Sequence, residues 1–546
     1  MRSRKLVLPF AVCAAFACAP TSSAAPMVQL PVTRAQATPA VGLEQVDGGL
    51  GYYGRFSNAL PSDPGYFPIG VWFESVVSQN DIDKDKGAGL NTYVVLTRDS
   101  KLPLLASNGM SLLAHHGDWQ ERANAPGAGA IAGWELRDEI DMELGPQLAY
   151  DELRRILVGL PSDGRLRYNN YGKGVMFWQS DAEAARLVNA QDVVSGDTYW
   201  FTDNNICSQE EGGALLNGGT RPLTQSKCHR AANYGATVTR MRGLVSPRGS
   251  KPVWAFVEVG HPFTDDAWPT IAPNEVQAAV WQSLIAGARG IIYFNHSFGG
   301  PYPTQHALRE PEYAAIRSAV AATNRRIKTL AAVLNAPAVS SGWSQGAGTT
   351  AMVKWANGHF YVFAGSGGSA VNGRFSIPCV GNASANVLAE RRTVPVRAGA
   401  FEDAFADGNA IHVYRIEGGS SCGLSTSVDG TTGGGAPGAA GSPARKARIG
   451  QVPPRVPARR RRLRITVNCT TTCTARSRLT TRRGARRILL AAATLKFEAG
   501  RHKLILRLSR RDWRRIAGGR AMRLRTVVIE PSGRVQRTQR LVARRR

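Results

Sequence analysis

Two glutamates stand where short apolar runs end. Glu139 follows Ala130-Ile131-Ala132-Gly133-Trp134-Glu135-Leu136 by way of Arg137-Asp138, and Glu258 directly follows Val253-Trp254-Ala255-Phe256-Val257. Each run carries a tryptophan, Trp134 or Trp254, expected to pack inward and lift the acid just above a filled interior. Two carboxyls so placed suit cleavage of an acetal. One protonates the departing oxygen while the other attacks the sugar carbon, at a separation of about 5 to 5.5 Å. The proton donor must stay neutral near pH 7, which burial or a neighbouring negative charge achieves. Asp138 is a second carboxyl that can share the proton, or simply accept a structural hydrogen bond. The rival reading of each strand-end glutamate is an ion-pair partner.

Weaker candidates follow the same logic. His115 and His116 end another apolar run, where one can bind a hydroxyl or sit as a satisfied structural histidine. Asp197 and Tyr199 follow Asp192-Val193-Val194-Ser195-Gly196, with Tyr199 a hydrogen-bond donor to a nucleophile or plain packing. Trp200, Trp268 and His261 fall in connecting segments; an aromatic face suits the apolar face of a pyranose, though a lone Trp is more often core. Asn295 and His296 close the run Gly290-Ile291-Ile292-Tyr293-Phe294. No Gly-rich phosphate loop, His-Glu-x-x-His helix or strand-borne Gly-x-Ser-x-Gly elbow stands out, so no cofactor is expected and a serine hydrolase is poorly supported.

The elements that must position these residues alternate. Strands are expected at Phe67–Trp72, Thr92–Leu96, Ser111–Ala114, Ala130–Leu136, near Leu166–Asn169, and at Asp192–Gly196, Val253–Val257 and Gly290–Phe294, with helical segments between them. Eight such units over about 250 residues suit a closed α/β barrel, whose active site lies at the C-terminal strand ends. A helix over Glu310–Leu334 leads into a β-rich stretch. There Thr350–Trp355 and His359–Phe363 read as a hairpin across Ala356-Asn357-Gly358. The fold class expected is a (β/α)8 TIM barrel, then an antiparallel β-sandwich, then a small basic all-β domain.

Trp134-Glu135-Leu136-Arg137-Asp138-Glu139 and Trp254-Ala255-Phe256-Val257-Glu258 resemble the paired strand ends of clan A glycoside hydrolases. So do Ala286-Gly287-Ala288-Arg289-Gly290-Ile291-Ile292-Tyr293-Phe294 and the segment Asp192–Tyr199. The resemblance spans about Tyr66 to Ile416. It implies Glu139 as acid/base, Glu258 as nucleophile, a retaining mechanism and an oligo- or polysaccharide substrate. The chain departs from the clan in having Asp138 where Asn is common, and Asn295-His296 where Trp is expected. A catalytically silent glycan-binding protein on the same barrel is the alternative.

The ends differ from the body. Arg2, Arg4 and Lys5 precede the apolar run Leu6–Ala19 and the small residues Ser22–Ala25, the pattern of an export signal over residues 1–25. Residues 26–63 read as a flexible lead-in, 64–335 as the barrel, 336–422 as the sandwich, 423–460 as a Gly/Ser/Pro-rich basic linker and 461–546 as the basic domain. From Gly441 to Arg546 there are 32 Lys and Arg against 3 acids, so the net charge of +28 resides in the tail. The alternation of Arg with aliphatics places the cations on one strand face. Its texture resembles basic C-terminal modules of exported actinobacterial proteins. An anionic cell-wall polymer or a membrane surface is the expected partner of such a tail, and nucleic acid is not expected in an exported chain. Six cysteines remain after the signal. Near-neighbour pairing gives Cys207 with Cys228, Cys379 with Cys422, and Cys469 with Cys473, among 15 possible arrangements. No metal site is expected, since no His stands at ligand spacing from them. The chain thus reads as secreted or cell-surface associated.

Overall fold

The computed structural model describes residues 40–417, 422–426 and most of the strands between 448 and 543. The export signal and the first part of the lead-in lie outside the described residues. The chain divides into two compact units, residues 1–429 and 430–546.

In the first unit, β1 (Ala40–Glu44) precedes eight parallel strands: β2 (Ile69–Glu74), β3 (Thr92–Leu96), β4 (Ser111–His115), β5 (Ile131–Glu135), β6 (Leu166–Tyr171), β7 (Val193–Gly196), β8 (Val253–Glu258) and β9 (Ile291–Phe294). They close in sequence order, β9 pairing with β2. Strands buried on both faces read as continuous apolar runs, which is why β3, β5 and β8 are buried throughout. Trp72, Val94, Leu113, Leu166, Tyr168, Trp254 and Phe256 fill the interior. A second and larger core joins the outer strand faces to the surrounding helices, among them Ala231–Leu244, Pro273–Ile285 and Ala314–Leu334.

One expectation about this interior fails. Trp254 packs inside the barrel, but Trp134 belongs to the outer core and its indole donates to Asp163 Oδ2 at 3.0 Å. The register of β4 against β5 shifts at Leu112/Leu113, and Gly133 faces the interior side chains Leu113 and Leu166. Glu135, two residues on, therefore takes the inward phase instead.

Seven strands after the barrel and β1 form an eight-stranded sheet, and three short strands form a second sheet against it. The hairpin spans Thr349–Ala356 and His359–Ser366. The lead-in is not wholly loose, as expected from its composition. β1 pairs antiparallel with Ala338–Ser341 and parallel with Gly423–Thr426, burying Val41 and Leu43. Tyr52, Tyr53 and Leu60 pack into the interior core, with Trp254 Nε1 donating to the Tyr53 hydroxyl at 2.9 Å. The start of the expected linker, Gly423–Thr426, is likewise a strand. Both segments are too short to signal themselves; only partners roughly 300 and more residues away supply their hydrogen bonds.

In the second unit, Arg462–Cys469 pairs with Gly500–Arg507. A five-stranded sheet runs Arg455–Val456, Gly533–Ala543, Ala521–Glu530, Cys473–Arg483, Arg486–Phe497. Leu463, Ile465, Leu504, Leu524 and Val528 are buried while Arg464, Arg476, Arg478 and Arg523 are exposed, the expected alternation. The three cysteine pairs are disulfide-bonded as near neighbours. Among the described residues no helix is long and apolar enough to cross a membrane.

Candidate active site

Glu139 is held by an unusual backbone. Three residues beyond Leu136 it adopts φ +41°, the left-handed region, and opens the one-turn helix Ile140–Glu143. A residue with a Cβ pays roughly 1 to 2 kcal/mol there, a strain that persists only where the surroundings fix it. Gly172, just past β6, is part of that fixing, because a Cβ there would collide with the Glu139 carboxylate. Asp141 anchors the turn by accepting from Gly172 N at 3.1 Å and Val175 N at 2.6 Å.

Around Glu139 the carboxyls crowd. The Asp197 carboxyl acts on it directly, and Asp197 Oδ1 is buried with no hydrogen-bond partner among the described residues. Burial pushes Glu139 up, partly opposed by Asp197 and the Lys173 ammonium. Asp197 is driven well above the usual carboxylate range by burial and by the charges of Glu139 and Asp138. Asp138 rises to about 7 through burial and its neighbour Glu139. A polar chain runs from the barrel interior up to it. Tyr168 Oη meets Ser195 Oγ at 2.6 Å, Ser195 donates to Asn170 Oδ1 at 2.7 Å, and Asn170 Nδ2 donates to Asp138 Oδ1 at 3.0 Å. Asp138 is thus an oriented acceptor within the same cluster.

Glu258 ends β8 in phase with the inward residues Trp254 and Phe256, and it is fully buried. Its Oε1 accepts from the Tyr234 hydroxyl at 2.6 Å and from Thr202 Oγ1 at 3.1 Å, while Oε2 is buried with no partner among the described residues. Burial raises it to about 7, the two donors pulling the other way. Tyr199 links the two glutamates electrostatically. Its hydroxyl donates to Asp197 Oδ2 at 3.3 Å, and the charges of Asp197, Glu139, Glu258 and Asp138 all add to burial in holding its proton on.

The other expected site residues divide. Asp138, Asp197 and Tyr199 join Glu139 in the cluster. The tyrosine hydroxyl bonded to Glu258 comes from Tyr234 on the helix Ala231–Leu244, however, not from Tyr199. Trp200 is fully buried, its indole donating to Thr237, and so offers no sugar platform. His261 spends both ring nitrogens on Thr270 and the Asp265 carbonyl, holding a rim loop. Asn295, also fully buried, bonds the carboxylate of Glu74 and the Leu308 amide. His115 pairs with Asp118 at 2.9 Å and packs on His116.

Several residues escaped the sequence reading. Glu135 is buried with an unpartnered Oε1 and is pushed well up by burial and by the Asp138 charge. Tyr199, Phe294, His296 and Phe298 form a chain of ring contacts at 5.2, 5.4 and 5.6 Å, and Tyr199 also meets Phe263, which packs on Trp268 at 4.3 Å. Phe298 is 45% exposed, as a stacking surface must be. Strand-end position signalled Phe294, but nothing local signalled Phe263 or Phe298. His229 comes within 3.6 Å of Cys207 Sγ, against the expectation that no histidine accompanies the cysteines. The sulfur is committed to the Cys207–Cys228 disulfide, which removes it as a thiolate ligand.

No family model matches the chain, and no curated protein matches it. Among solved structures it is similar to a glycoside hydrolase family 5 protein from Bacteroides vulgatus, at 14% identity and TM-score 0.43, covering 67% of this chain and 92% of that one. A GH30 endoxylanase from Clostridium papyrosolvens matches at 11% identity and TM-score 0.37, over 70% and 99%. An alpha-amylase from Geobacillus thermoleovorans matches at 10% identity and TM-score 0.38, over 64% and 98%. The barrel of this chain rests on its own closed strand pairing, and the activities are those proteins' own.

Proposed function

We propose that this protein is an exported retaining glycoside hydrolase, with Glu139 as acid/base, Glu258 as nucleophile and an oligo- or polysaccharide as substrate. One observation carries the reading. Two carboxyls stand at the C-terminal ends of the fourth and seventh barrel strands: Glu258 ends β8 with Oε2 unpartnered among the described residues, and Glu139 follows β5 in a left-handed turn. In the reaction, Glu139 donates its proton to the leaving oxygen while the free Oε2 of Glu258 bonds to the anomeric carbon. Glu139, now ionised, takes a proton from the water that releases the sugar. Burial, helped by the charge of Glu143, raises Glu139, which suits a group that must regain its proton. Tyr234 and Thr202 fix the other oxygen of Glu258 and leave Oε2 to react. The exposed rings near Phe298 offer faces for sugar stacking. The basic C-terminal unit holds the enzyme to an anionic wall polymer or membrane surface.

The test is hydrolysis of a glycan panel by wild type, Glu139→Gln and Glu258→Gln, with the anomer first released read by NMR. Loss of turnover in both folded variants and a retained anomer are expected. An inverted anomer, or full activity in either variant, removes the assignment. Asp138 in place of Asn, and a Glu258 so firmly tied to Tyr234 and Thr202, favour the second reading of a silent glycan-binding barrel. Binding without turnover by the wild type would establish it.

A further inference from the structure

At the opposite end of the barrel, the segment Ala286–Gly290 performs no task in the reaction above. Arg289 closes it, immediately before β9, and is only 6% exposed. Its Nε and Nη1 are buried without any acceptor among the described residues. Beside it lies a cavity of about 300 Å³ between the barrel floor and the sandwich sheet, lined by Arg289, Arg242 and Lys354 together with Asp47 and Glu44. Lys354 is 4% exposed, and its ammonium has one acceptor, the Ala336 carbonyl at 2.9 Å. Arg242 is neutralised by Asp47, with Nη2 to Oδ1 at 2.8 Å, and donates to the Ala286 carbonyl at 2.8 Å. Gly287 permits that approach. It has φ +99°, and a Cβ there would lie 2.6 Å from the Arg242 guanidinium.

The charges do not balance. Asp47 is taken by Arg242, which leaves Arg289 and Lys354 facing a shared cavity with no carboxylate among the described residues bonded to either. Burial, and then repulsion from Arg289 and Arg242, lowers Lys354 to about 7, so it sheds its charge easily while Arg289 keeps its own. The Arg289 guanidinium cannot lose its proton, so leaving it buried without a partner is costly, and an anion in the cavity would relieve that cost. We propose that this cavity binds a small oxyanion, a tetrahedral ion of phosphate size or the carboxylate of a sugar acid, chelated by Arg289 and Lys354. Planar guanidinium forks suit such ligands, and the site would tie the barrel floor to the sandwich.

The experiment uses the full chain with selenate, a tetrahedral oxyanion visible by anomalous scattering, and with glucuronate as the sugar-acid probe. Excluded oxyanions stabilise any protein weakly, so the readout compares wild type with Arg289→Met and Lys354→Met. The wild-type melting temperature should climb with the logarithm of ligand concentration, and each variant should show at least about a two-fold smaller rise. A larger rise with selenate points to a free ion, and with glucuronate to a sugar-borne group. Arg289→Lys serves if the Met variant does not fold. A selenate-soaked crystal should show anomalous density within hydrogen-bond reach of Arg289. Parallel slopes in wild type and variants with both probes, together with an empty cavity in the soak, overturn the proposal.

Discussion

The two ends of the barrel handle buried charge in opposite ways. At the C-terminal rim the ionisable groups are mostly acids: Glu135, Asp138, Glu139, Asp197 and Glu258. Lys173, the cation that acts on Glu139, is already tied to Asp203 and Glu211 at 2.7 and 2.8 Å. At the floor the unsatisfied group is a cation, Arg289, with Lys354 lining the same cavity. An acid can escape burial by keeping its proton, so the rim tolerates crowding and gains proton donors from it. An arginine cannot shed its charge, and on our proposal the floor recruits an anion instead. On these proposals the rim suits proton transfer and the floor suits binding.

The largest effect that would break this contrast is catalytic. Glu139→Gln and Glu258→Gln should each lower kcat on a cleaved glycan by about 10³-fold or more, measured on protein whose circular dichroism matches wild type. Activity within ten-fold of wild type in either would make the rim acids structural.

Next in size is the stability of Glu258. Its folded pKa stands above the unfolded value, so the native state holds the proton more tightly. The stability this lends is fully present below pH 4.5 and is lost as the pH rises through about 7. Above pH 8 the buried charge costs roughly 3 kcal/mol. Glu258→Gln, which keeps a neutral side chain of the same shape, should therefore melt higher than wild type at pH 8 and equally at pH 4. A lower melting point at both would mean that Tyr234 and Thr202 bind an ionised carboxylate. The same titration should make kcat/KM rise with pH through about 7 as Glu258 becomes nucleophilic.

A smaller change sharpens the geometry. Gly172→Ala should cost about ten-fold in kcat by displacing the Glu139 carboxyl, with little change in KM. The smallest effect belongs to the platform. Phe298→Ala should raise KM by only about three-fold, leaving kcat intact, because one exposed ring contributes on the order of 0.5 to 1 kcal/mol.

Much of the fold was legible because parallel barrel strands are buried on both faces. Runs such as Thr92–Leu96 announce themselves without any partner, and the expected and observed bounds of that strand coincide. The residues that end such strands are legible for the same reason, so Glu139, Glu258, Asp197 and Tyr199 could be singled out. Trp200, His261 and Asn295 had the right chemistry at the right rim, but their fate depended on contacts with Thr237, Asp265 and Glu74 that no local pattern encodes. Trp134 failed differently. A single register shift between β4 and β5 exchanged its face with that of Glu135.

By itself, the sequence determined the eight-fold alternation, the identity of the strand-end acids, the local disulfides and the segregation of positive charge to the C-terminal unit. Each of these is a property of neighbours along the chain. Tertiary structure alone decided which hydroxyls hold Glu258, which acids crowd Glu139, how β1 joins a sheet beyond the barrel, and that Arg289 and Lys354 face one cavity. Those outcomes depend on distances between residues tens to hundreds of positions apart, where Coulomb interaction and hydrogen bonding act through space and local periodicity carries no record of them.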